Sequence, residues 1–371
     1  MNKKIAVIPG DGIGPEVTQQ AIKALDAVAS TFNHEFEYHY GLMGADAIDK
    51  TGNPLPDETI ELCLGSDAIL FGAIGDPKYD NDPNAKVRPE QGLLKLRKTL
   101  KLYSNIRPVV TYPSLHHLSP LKIQQMRNVD FVIFRELTGG IYFGEKSLSE
   151  DGNSATDTCT YSRSEIERIA VAAFEYALTR RKKLTLVDKA NVLETSRLWR
   201  KVVKELETRY PEVKVDYMYV DNAAMQLILY PSQFDVILTE NMFGDILSDE
   251  ASVLSGSLGL LPSASIGESL ALFEPIHGSY PAAAGKDIAN PLGSILSAAM
   301  LLDYFGMKEE GDKVRSAVNW TIANGFVTRD IDSSNGYSTS TVGDLVKDFI
   351  ENKVASDLNK QNIHLSKSTI I

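Results

Sequence analysis

Short apolar runs alternate with longer amphipathic stretches along the chain. Apolar runs of about four to eight residues are typical of buried strands, and apolar positions three and four apart are typical of helices that pack on one side. The runs predict strands at residues 5–8, 68–71, 131–134, 184–187 and 236–238, and the amphipathic stretches predict helices at residues 17–29, 165–178, 195–208 and 291–304. This alternation favours an α/β fold with a largely parallel sheet.

Two segments stand outside this pattern. Residues 255–259, Ser-Gly-Ser-Leu-Gly, are mostly small, and we interpret them either as a hinge between two lobes or as a point of tight helix packing. The tail from Lys360 onward carries little pattern, and we expect it to fray. The length of 371 residues accommodates two domains or one large α/β unit.

Composition and charge exclude several classes of protein. The composition is ordinary for a globular protein, and the net charge of −11 comes without a basic stripe, which disfavours a nucleic-acid-binding surface. An anionic substrate therefore requires a local cluster of arginine or lysine. The two cysteines, Cys63 and Cys159, provide neither a disulfide framework nor a metal site. Since neither a signal peptide nor a membrane-spanning run is apparent, we expect a cytoplasmic protein with reduced thiols.

Two aspartates indicate a metal site. Asp245 and Asp249 are four residues apart, so on a helix they lie on one face, where like charges repel by roughly a few tenths of a kcal/mol. Mg²⁺ or Mn²⁺, bound through carboxylate oxygens, would offset this repulsion. The pair follows the apolar run 236–238, and α/β proteins place ligand sites beyond the C-terminal ends of strands. The alternative is a solvated acidic face of a surface helix.

A glycine-rich segment follows the first strand. Gly10, Gly12 and Gly14 precede Pro15, which fits the first turn of a helix because the N–H that it lacks would be unpaired there. The dinucleotide-binding fingerprint of the Rossmann fold requires glycine at position 15, so an ordinary Rossmann fold is disfavoured. We still expect this loop to let a ligand approach the backbone.

The segment after Pro89 combines charged and apolar side chains. On a helix, one face of this segment carries Glu90, Leu93, Leu94 and Arg97. A guanidinium beside two leucines would hold a carboxylate while the leucines contact a branched alkyl group. The alternative is an amphipathic helix with core leucines and an arginine that extends to solvent.

Charged residues also lie at or near predicted strands. Arg135 follows the strand at 131–134 and leads into a glycine-flanked loop that contains Tyr142. Pro108 biases Arg107 towards extended backbone. The arginines are candidate anion binders, and the tyrosine is a candidate proton donor. Ordinary surface roles are the alternative for each.

Three further residues are candidates for chemistry. Lys189 comes directly after a predicted strand, where a depressed pKa would make it a general base. Asp221 offers a third carboxylate, or else an N-cap at a strand-to-helix junction. His277 lies in a turn-rich loop and is either a ligand contact or a solvated side chain.

Together and in this order, these segments carry a resemblance to a known family. From residues 10–16 to 288–291, the chain resembles the decarboxylating β-hydroxyacid dehydrogenases, most specifically in residues 135–145 and 241–250. The resemblance implies a two-domain αβα fold of the isopropylmalate/isocitrate dehydrogenase type, which is not a Rossmann fold, with an active cleft between the domains. Residues 1–102 and 256–371 would form the cofactor-side domain with both termini, and residues 103–255 an inserted domain with the metal, substrate and dimer contacts.

The resemblance also implies an obligate homodimer whose active sites are shared between subunits. A malate-type dicarboxylate would be held by Arg97, Arg107 and Arg135. Mg²⁺ or Mn²⁺ would be held by Asp245, Asp249 and, from the other subunit, Asp221. Lys189, also from the other subunit, would help to remove the hydroxyl proton through water or Asp221, and Tyr142 would protonate the enolate left after loss of CO₂.

The implied cofactor is NAD. Its binding residues would be Ile13, Glu90, Asn191, His277, Gly278, Ser279 and Asn290. Family members that prefer NAD usually carry aspartate at the position of Ala282, and the NADP branch has a Lys-Tyr pair where this chain has Ala282-Ala283. NAD is the prediction because no residue obviously pairs with a 2′-phosphate. Relaxed selectivity, through Lys286 or Arg329, is the alternative.

The predicted substrate rests on Leu93 and Leu94. In the isocitrate branch of the family this helix carries polar residues, whereas two leucines form an apolar wall suited to an isopropyl group. The expected reaction is oxidation and decarboxylation of 3-isopropylmalate to 2-oxoisocaproate, a step of leucine biosynthesis. Homoisocitrate, isocitrate, tartrate or malate are alternative substrates. A catalytically silent metabolite-binding protein is the alternative from another class, and the intact Tyr142, Lys189 and three aspartates disfavour it.

Overall fold

The computed structural model describes residues 1–82 and 85–354, so the tail from Lys360 onward lies outside the described residues. The chain divides into two compact units. Unit 1 comprises residues 1–96, 256–264 and the chain from residue 269 onward, and unit 2 comprises Arg97–Ser255 with Ser265–Glu268. Within the described ranges, no helix is long and apolar enough to cross a membrane.

The strands are short and mostly apolar. In chain order they are β1 (Asn2–Gly10), β2 (Glu35–Tyr40), β3 (Ala68–Ala73), β4 (Ser104–Val110), β5 (Asp130–Glu136), β6 (Lys146–Leu148), β7 (Ala155–Asp157), β8 (Lys183–Asp188), β9 (Lys214–Tyr219), β10 (Val236–Thr239), β11 (Pro262–Ile266) and β12 (Ala271–Pro275). The five strands predicted from apolar runs all lie within strands of the structure, namely β1, β3, β5, β8 and β10.

The helices fill most of the chain between the strands. They are α1 (Gly14–Phe32), α2 (Ala45–Thr51), α3 (Asp57–Leu64), α4 (Pro77–Asp80), α5 (Pro89–Thr99), α6 (Ile123–Met126), α7 (Arg163–Leu178), α8 (Glu194–Glu207), α9 (Val220–Leu229), α10 (Asn241–Ser252), α11 (Leu292–Tyr304), α12 (Lys308–Ala323) and α13 (Thr339–Ile350). The predicted helices correspond to α1, α7, α8 and α11, with ends that differ by a few residues.

Unit 1 is built on parallel strands covered by long helices. β1 pairs in parallel with β2 and with β3, and β3 pairs in parallel with β12. Every residue of β3 is buried, as expected for a parallel strand with both faces covered. Helix α1 packs against α11 and α13, so helices that are far apart in sequence share one layer.

Unit 2 repeats this layered architecture, with one antiparallel pair among five strands of its sheet and a separate antiparallel pair formed by β6 and β7. The strand order is β4-β5-β10-β8-β9, and all neighbours are parallel except β4 and β5. Alternate residues of β5 enter two cores: Val132 and Phe134 pack with α7 and α8, and Phe131 and Ile133 pack with α9 and α10. The prediction of an α/β fold with a largely parallel sheet is confirmed.

Residues 255–259 lie where the chain passes from unit 2 to unit 1. Gly259 packs closely against Asn290, two residues before α11. A Cβ at Gly259 would lie 2.6 Å from the Cβ of Asn290, so a larger residue would not fit there. Gly256 has φ of +90°, which glycine adopts without strain. Close packing therefore explains Gly259, and a hinge within residues 255–259 stays a prediction.

Candidate active site

The two aspartates of the predicted metal site lie on α10. This helix starts directly after β10, with Glu240 between the strand and the first helical residue, Asn241. Asp245 and Asp249 are one turn apart, and their side chains are 34% and 70% exposed. The helix thus presents two carboxylates beyond the C-terminal end of a buried parallel strand.

Arg135, near the end of β5, is fixed against this helix. Its guanidinium is buried, and its Nε and Nη2 donate to Oδ1 of Asn241 at 3.0 and 2.9 Å. Its Nη1 donates to Oδ1 of Asp245 in a salt bridge. Burial, together with the nearby positive charge of Arg107, lowers the pKa of Arg135 to about 10, so the side chain stays charged at neutral pH.

Arg107 approaches the same carboxylates from β4. Its Nε donates to Oδ1 of Asn105 at 2.7 Å, and its Nη1 donates to the hydroxyl of Ser248. The same guanidinium lies 3.9 Å from Oδ1 of Asp245 and 3.4 Å from Oδ1 of Asp249. The structure therefore brings two predicted anion binders to two predicted metal ligands.

The positive charge of Arg97 also acts on this cluster, since it helps to lower the pKa of Arg135. Three guanidinium groups against two carboxylates leave the cluster net positive. Anion binding requires such a local excess in a chain whose net charge is −11.

Tyr142 reaches the cluster from the loop after β5. Glu136 holds the start of this loop, since its carboxylate accepts hydrogen bonds from the backbone N–H of Thr138 at 3.0 Å and of Gly139 at 2.7 Å. The hydroxyl of Tyr142 donates to Oδ2 of Asp245 at 3.0 Å. Partial burial and the charge of Asp245 raise the pKa of Tyr142, so the phenol keeps its proton at neutral pH.

Lys189 and Asp221 form a separate pair in unit 2. Lys189 follows β8, Asp221 lies in the first turn of α9, and Nζ lies 2.7 Å from Oδ1. The hydrogen bond from Lys189 lowers the pKa of Asp221, whose side chain is 66% exposed. The carboxylate of Asp221 is therefore charged and accessible at neutral pH.

Unit 1 contains a pocket of about 500 Å³ lined by residues predicted to bind the cofactor. Those residues are Ile13, His277, Gly278 and Asn290, joined by Tyr280, Arg329 and Asp330. Nε2 of His277 is buried and has no hydrogen-bond partner among the described residues. Burial lowers the pKa of His277, so its ring is neutral at neutral pH. A neutral imidazole with an unused nitrogen fits a polar group of a bound ligand.

Ser279 and Glu90, two further predicted cofactor residues, do not line this pocket but both lie near Gly75 in unit 1. The carbonyl of Ser279 accepts from the backbone N–H of Ile13 at 2.7 Å. A Cβ at Gly75 would lie 2.9 Å from Oε1 of Glu90 and 3.6 Å from the hydroxyl of Ser279. Gly12, with φ of +59°, makes room for the same carbonyl, because a Cβ there would overlap it. Gly12 thus allows the close approach of protein backbone, whereas the sequence suggested the close approach of a ligand.

A family model described as isocitrate/isopropylmalate dehydrogenase matches residues 4–346. The chain belongs to the isocitrate/isopropylmalate dehydrogenase family. This membership confirms the resemblance inferred from the sequence, and it makes the protein a dehydrogenase.

Relatives within this family are similar along nearly the whole chain. A protein of Bacteroides fragilis named 3-isopropylmalate dehydrogenase is 56% identical over 352 residues, which cover 94% of this chain and 99% of the relative. A protein of the same name from Bacillus subtilis is 56% identical over 92% of this chain and 94% of its own length. The crystal structure of isocitrate dehydrogenase from Methylococcus capsulatus superposes with a TM-score of 0.85 at 34% identity, and the match covers 94% of this chain and 99% of that chain. The predicted fold type is thereby confirmed.

Some residues predicted to form the site lie outside the arginine–aspartate cluster, the Lys189–Asp221 pair and the pocket, or are largely buried. Asn191 is exposed in the turn after Lys189, in unit 2, and does not line the pocket. On α5, Leu93 is 9% exposed and Leu94 is 37% exposed, so only Leu94 presents much of its side chain. Among the described residues, no group of three histidine, cysteine or acidic side chains is placed to hold a metal ion.

Sequence reasoning missed the residues that hold the arginines in place. Asn241 and Ser248 accept hydrogen bonds from Arg135 and Arg107, respectively. They lie four residues before and three residues after Asp245, so the helical spacing used for the aspartates also places them near that face. Their spacing from Asp245 could therefore have identified them as site residues. They were missed because their side chains are uncharged.

Proposed function

We propose that this dehydrogenase oxidises and decarboxylates 3-isopropylmalate to 2-oxoisocaproate with reduction of NAD, as a step of leucine biosynthesis. The observation that carries the proposal is the cluster of Arg97, Arg107 and Arg135 beside two aspartates and Tyr142 in unit 2. Relatives named 3-isopropylmalate dehydrogenase, 52–56% identical, support the choice of substrate. Unit 1 would bind the dinucleotide, and unit 2 would carry the substrate, metal and subunit contacts.

In this proposal the three arginines bind the two carboxylates of the substrate. Arg135 and Arg107 are well suited, because Asn241 and Asn105 fix their guanidinium groups and burial limits competition from water. A planar guanidinium binds a carboxylate through two parallel hydrogen bonds, which fixes orientation as well as charge. The substrate would therefore be positioned before any chemistry occurs.

The donor set of α10 fits Mg²⁺ or Mn²⁺, because Asp245 and Asp249 offer only oxygen ligands one turn apart on one face. One chain supplies two such carboxylates at this place, and Asp221 of the partner subunit would supply the third. The ion would polarise the oxygen of the substrate's 2-hydroxyl group and of the 2-oxo group derived from it.

A second copy of this chain is the partner because the third ligand is flanked by an uncovered apolar face. Five apolar side chains on or beside α9 and α10 are more than 40% exposed: Met225, Ile228, Leu229, Ile246 and Val253. The helices that carry them also carry Asp221, Asp245 and Asp249. A symmetric dimer through this face would bury these side chains and bring Asp221 of each copy to the aspartates of the other.

Two groups would move protons. Lys189, held 2.7 Å from Asp221, would help to remove the proton of the substrate hydroxyl, directly or through that carboxylate. Tyr142, whose raised pKa keeps its proton in place, would donate a proton to the carbon that loses CO₂. Lys189 then releases its proton to solvent, and Tyr142 regains a proton from solvent.

NAD fits the pocket of unit 1, where His277 has an unused buried nitrogen and Gly278 leaves open space, since a Cβ there would meet no atom within 4 Å. Asp330 places a carboxylate in the pocket, held by the side chain of Asn290 at 3.0 Å. A negative charge disfavours a 2′-phosphate, although Arg329 lines the same pocket. We therefore propose NAD as the preferred cofactor and weak use of NADP.

Leu94 would contact the isopropyl group, because Leu93 is largely buried. A branched alkyl group buried against protein contributes about 1–3 kcal/mol, enough to change substrate preference by tens to hundreds. We expect Leu94→Asn to lower kcat/KM for 3-isopropylmalate in that range. Leu64→Asn, at an exposed leucine of α3, is the matched control.

The test of the proposal is reduction of the dinucleotide, measured as absorbance at 340 nm. Purified protein with Mn²⁺ receives NAD or NADP and, separately, 3-isopropylmalate, isocitrate, homoisocitrate, tartrate or malate. We expect fast reduction only with 3-isopropylmalate and NAD. Faster reduction with another acid would contradict the proposed substrate, comparable kcat/KM for NADP would contradict the cofactor, and no reduction with any pair would favour a catalytically silent binding protein.

A cytoplasmic location completes the proposal. Cys63 is buried and Cys159 is half-buried, and both are free thiols, as expected in a reducing compartment.

A further inference from the structure

The Lys189–Asp221 pair depends on how two neighbouring strands end. Asp188 and Tyr219 are the last residues of β8 and β9, and they lie opposite each other in the parallel register. Lys189 follows the first of them directly, and Asp221 comes two residues after the second. A shift between the two strand ends would therefore change the distance of 2.7 Å between Nζ and Oδ1.

Arg200 of α8 spans both strand ends. Its Nε and Nη2 donate to Oδ2 and Oδ1 of Asp188, each at 2.8 Å. Its Cζ lies 5.3 Å from the ring centre of Tyr219 and 5.3 Å from that of Tyr217. A guanidinium makes both contacts at once because it is planar and forked, whereas the point charge of a lysine cannot make the paired hydrogen bonds.

Asp188 carries this restraint into the turn that holds Lys189. Its carboxylate is 2% exposed and also accepts from the backbone N–H of Ala190 at 2.9 Å. The backbone N–H of Lys189 donates to the hydroxyl of Ser196, also on α8, at 3.0 Å. Helix α8 thus fixes the backbone on both sides of the peptide that carries the lysine, and Arg200 balances the buried charge that orders the turn.

We propose that Arg200 is a positioning residue that holds Lys189 and Asp221 at hydrogen-bonding distance, so that both reach the active site together. The inference rests on the proposed function, in which these two groups serve proton removal and metal binding. Arg200 would act through Asp188 and Tyr219, without contact with substrate or metal.

The test compares Arg200→Lys, which keeps the charge, with Asp188→Asn, which removes the other half of the paired contact. Lys204→Met is the control, since Lys204 lies over the Tyr217 ring at 5.5 Å and is exposed. The measurements are kcat, KM for NAD, the melting temperature, and the affinity for Mn²⁺ in the presence of 3-isopropylmalate without NAD, followed by electron paramagnetic resonance.

We expect Arg200→Lys and Asp188→Asn to lower kcat by roughly 30–100-fold and Mn²⁺ affinity by about tenfold, as supporting residues of metal sites commonly do. KM for NAD should stay within twofold, and Lys204→Met should match the parent protein. A fall in melting temperature with kcat and Mn²⁺ affinity unchanged per folded molecule would mean a purely structural role and would overturn the inference.

Lys189→Met and Asp221→Asn separate this inference from the proposed function. If both are inactive while Arg200→Lys is fully active, the proposed function stands and the positioning role is wrong. If both retain full activity, the roles proposed for the pair are wrong, and the positioning role fails with them. If Asp188→Asn does not fold, Arg200→Lys alone decides the question.

Discussion

The Arg135–Asp245 cluster and the Lys189–Asp221 pair lie in the same unit but are built differently. Arg135 is 4% exposed and hydrogen-bonded to Asn241, whereas the side chain of Asp221 is 66% exposed and has Lys189 as its ion-pair partner. The first arrangement is held by burial and by several acceptors on one helix. The second is held at the backbone, by the register of β8 and β9, and leaves its side chains accessible.

In the proposed function, one chain supplies two kinds of active-site group. Groups that must hold a substrate in a fixed orientation gain from burial, because fewer water molecules compete and fewer rotamers are open. Groups that serve a site on another copy have to remain exposed until the copies meet. The exposed apolar residues beside Asp221 and on α10 fit that second requirement.

The largest effect is expected when the two groups are altered in different subunits of one dimer. Asp249→Asn and Lys189→Met each change an accessible side chain, and each should lower activity about 10³-fold. A heterodimer of the two variants, purified through two affinity tags, should recover about half of the parent activity, because one of its two shared sites is intact. A heterodimer as inactive as its parents would show that each site is formed within one chain.

Tyr142→Phe tests whether the buried cluster contains a proton donor. We expect kcat to fall roughly 10²-fold, because the phenol supplies a proton that phenylalanine lacks. Mn²⁺ affinity should stay within twofold of that of the parent protein. A lower Mn²⁺ affinity would instead indicate that the hydroxyl serves to orient Asp245, to which it donates at 3.0 Å. Tyr40→Phe, at an exposed tyrosine, is the control.

The two arrangements should also differ in what they contribute to folding. Asn241→Ala removes the acceptor of two hydrogen bonds from the buried Arg135 and should lower the free energy of unfolding by about 1–3 kcal/mol. Asp221→Asn should leave the urea midpoint of unfolding unchanged, because this carboxylate is solvated. Both variants are measured by urea denaturation. An equal loss of unfolding free energy in the two would contradict the contrast between the buried cluster and the exposed pair.

The smallest expected effect concerns an acid at the base of α10. Burial, with the charges of Asp188 and Glu136, raises the pKa of Glu240 from 4.5 to about 7, and its Oε2 has no hydrogen-bond partner among the described residues. An unfolded chain loses this proton near pH 4.5, so the folded state binds more protons up to about pH 7. Stability from this group is therefore present below pH 4.5 and is lost as the pH rises to about 7.

Glu240→Gln should remove this pH dependence. At pH 8 we expect the variant to be about 1–3 kcal/mol more stable than the parent protein, and at pH 4.5 the two should be equal within error. Urea unfolding at the two pH values measures the difference. The control is Glu58→Gln, at an exposed position of α3, which should differ from the parent protein equally at both pH values. If the difference in unfolding free energy between Glu240→Gln and the parent protein were the same at both pH values, the argument would be contradicted.

Much of the fold could be predicted from local pattern. Buried parallel strands such as β3 and β10 are short apolar runs, and α7 shows its apolar face at regular spacing, so both signals lie within about a dozen residues. The antiparallel pairing of β4 with β5 was not predicted, because it depends on which strand neighbours which and not on either strand alone.

The candidate site was predictable where charge or glycine makes a residue conspicuous, as for Asp245, Arg135 and Tyr142, which do lie together. Asn241 escaped notice because its partner is distant in sequence: it is 106 residues from Arg135. Arg200 escaped notice because its contacts with Asp188 and Tyr219 depend on how β8 and β9 pair. Leu93 shows the converse, since helical spacing placed it on the functional face whereas packing leaves it 9% exposed.

The discontinuity of unit 1 along the sequence has a consequence for how the protein folds during synthesis. Lys23 of α1 pairs with Asp344 of α13 at 2.7 Å, across 321 residues of sequence. At about 5–20 residues per second, a ribosome needs roughly 15–60 s to make the chain between these helices. Unit 2 is nearly continuous in sequence and can fold within that time. The apolar strands of unit 1 remain exposed until α11, α12 and α13 have been made. We therefore expect nascent unit 1, rather than unit 2, to be the part of this protein that chaperones bind.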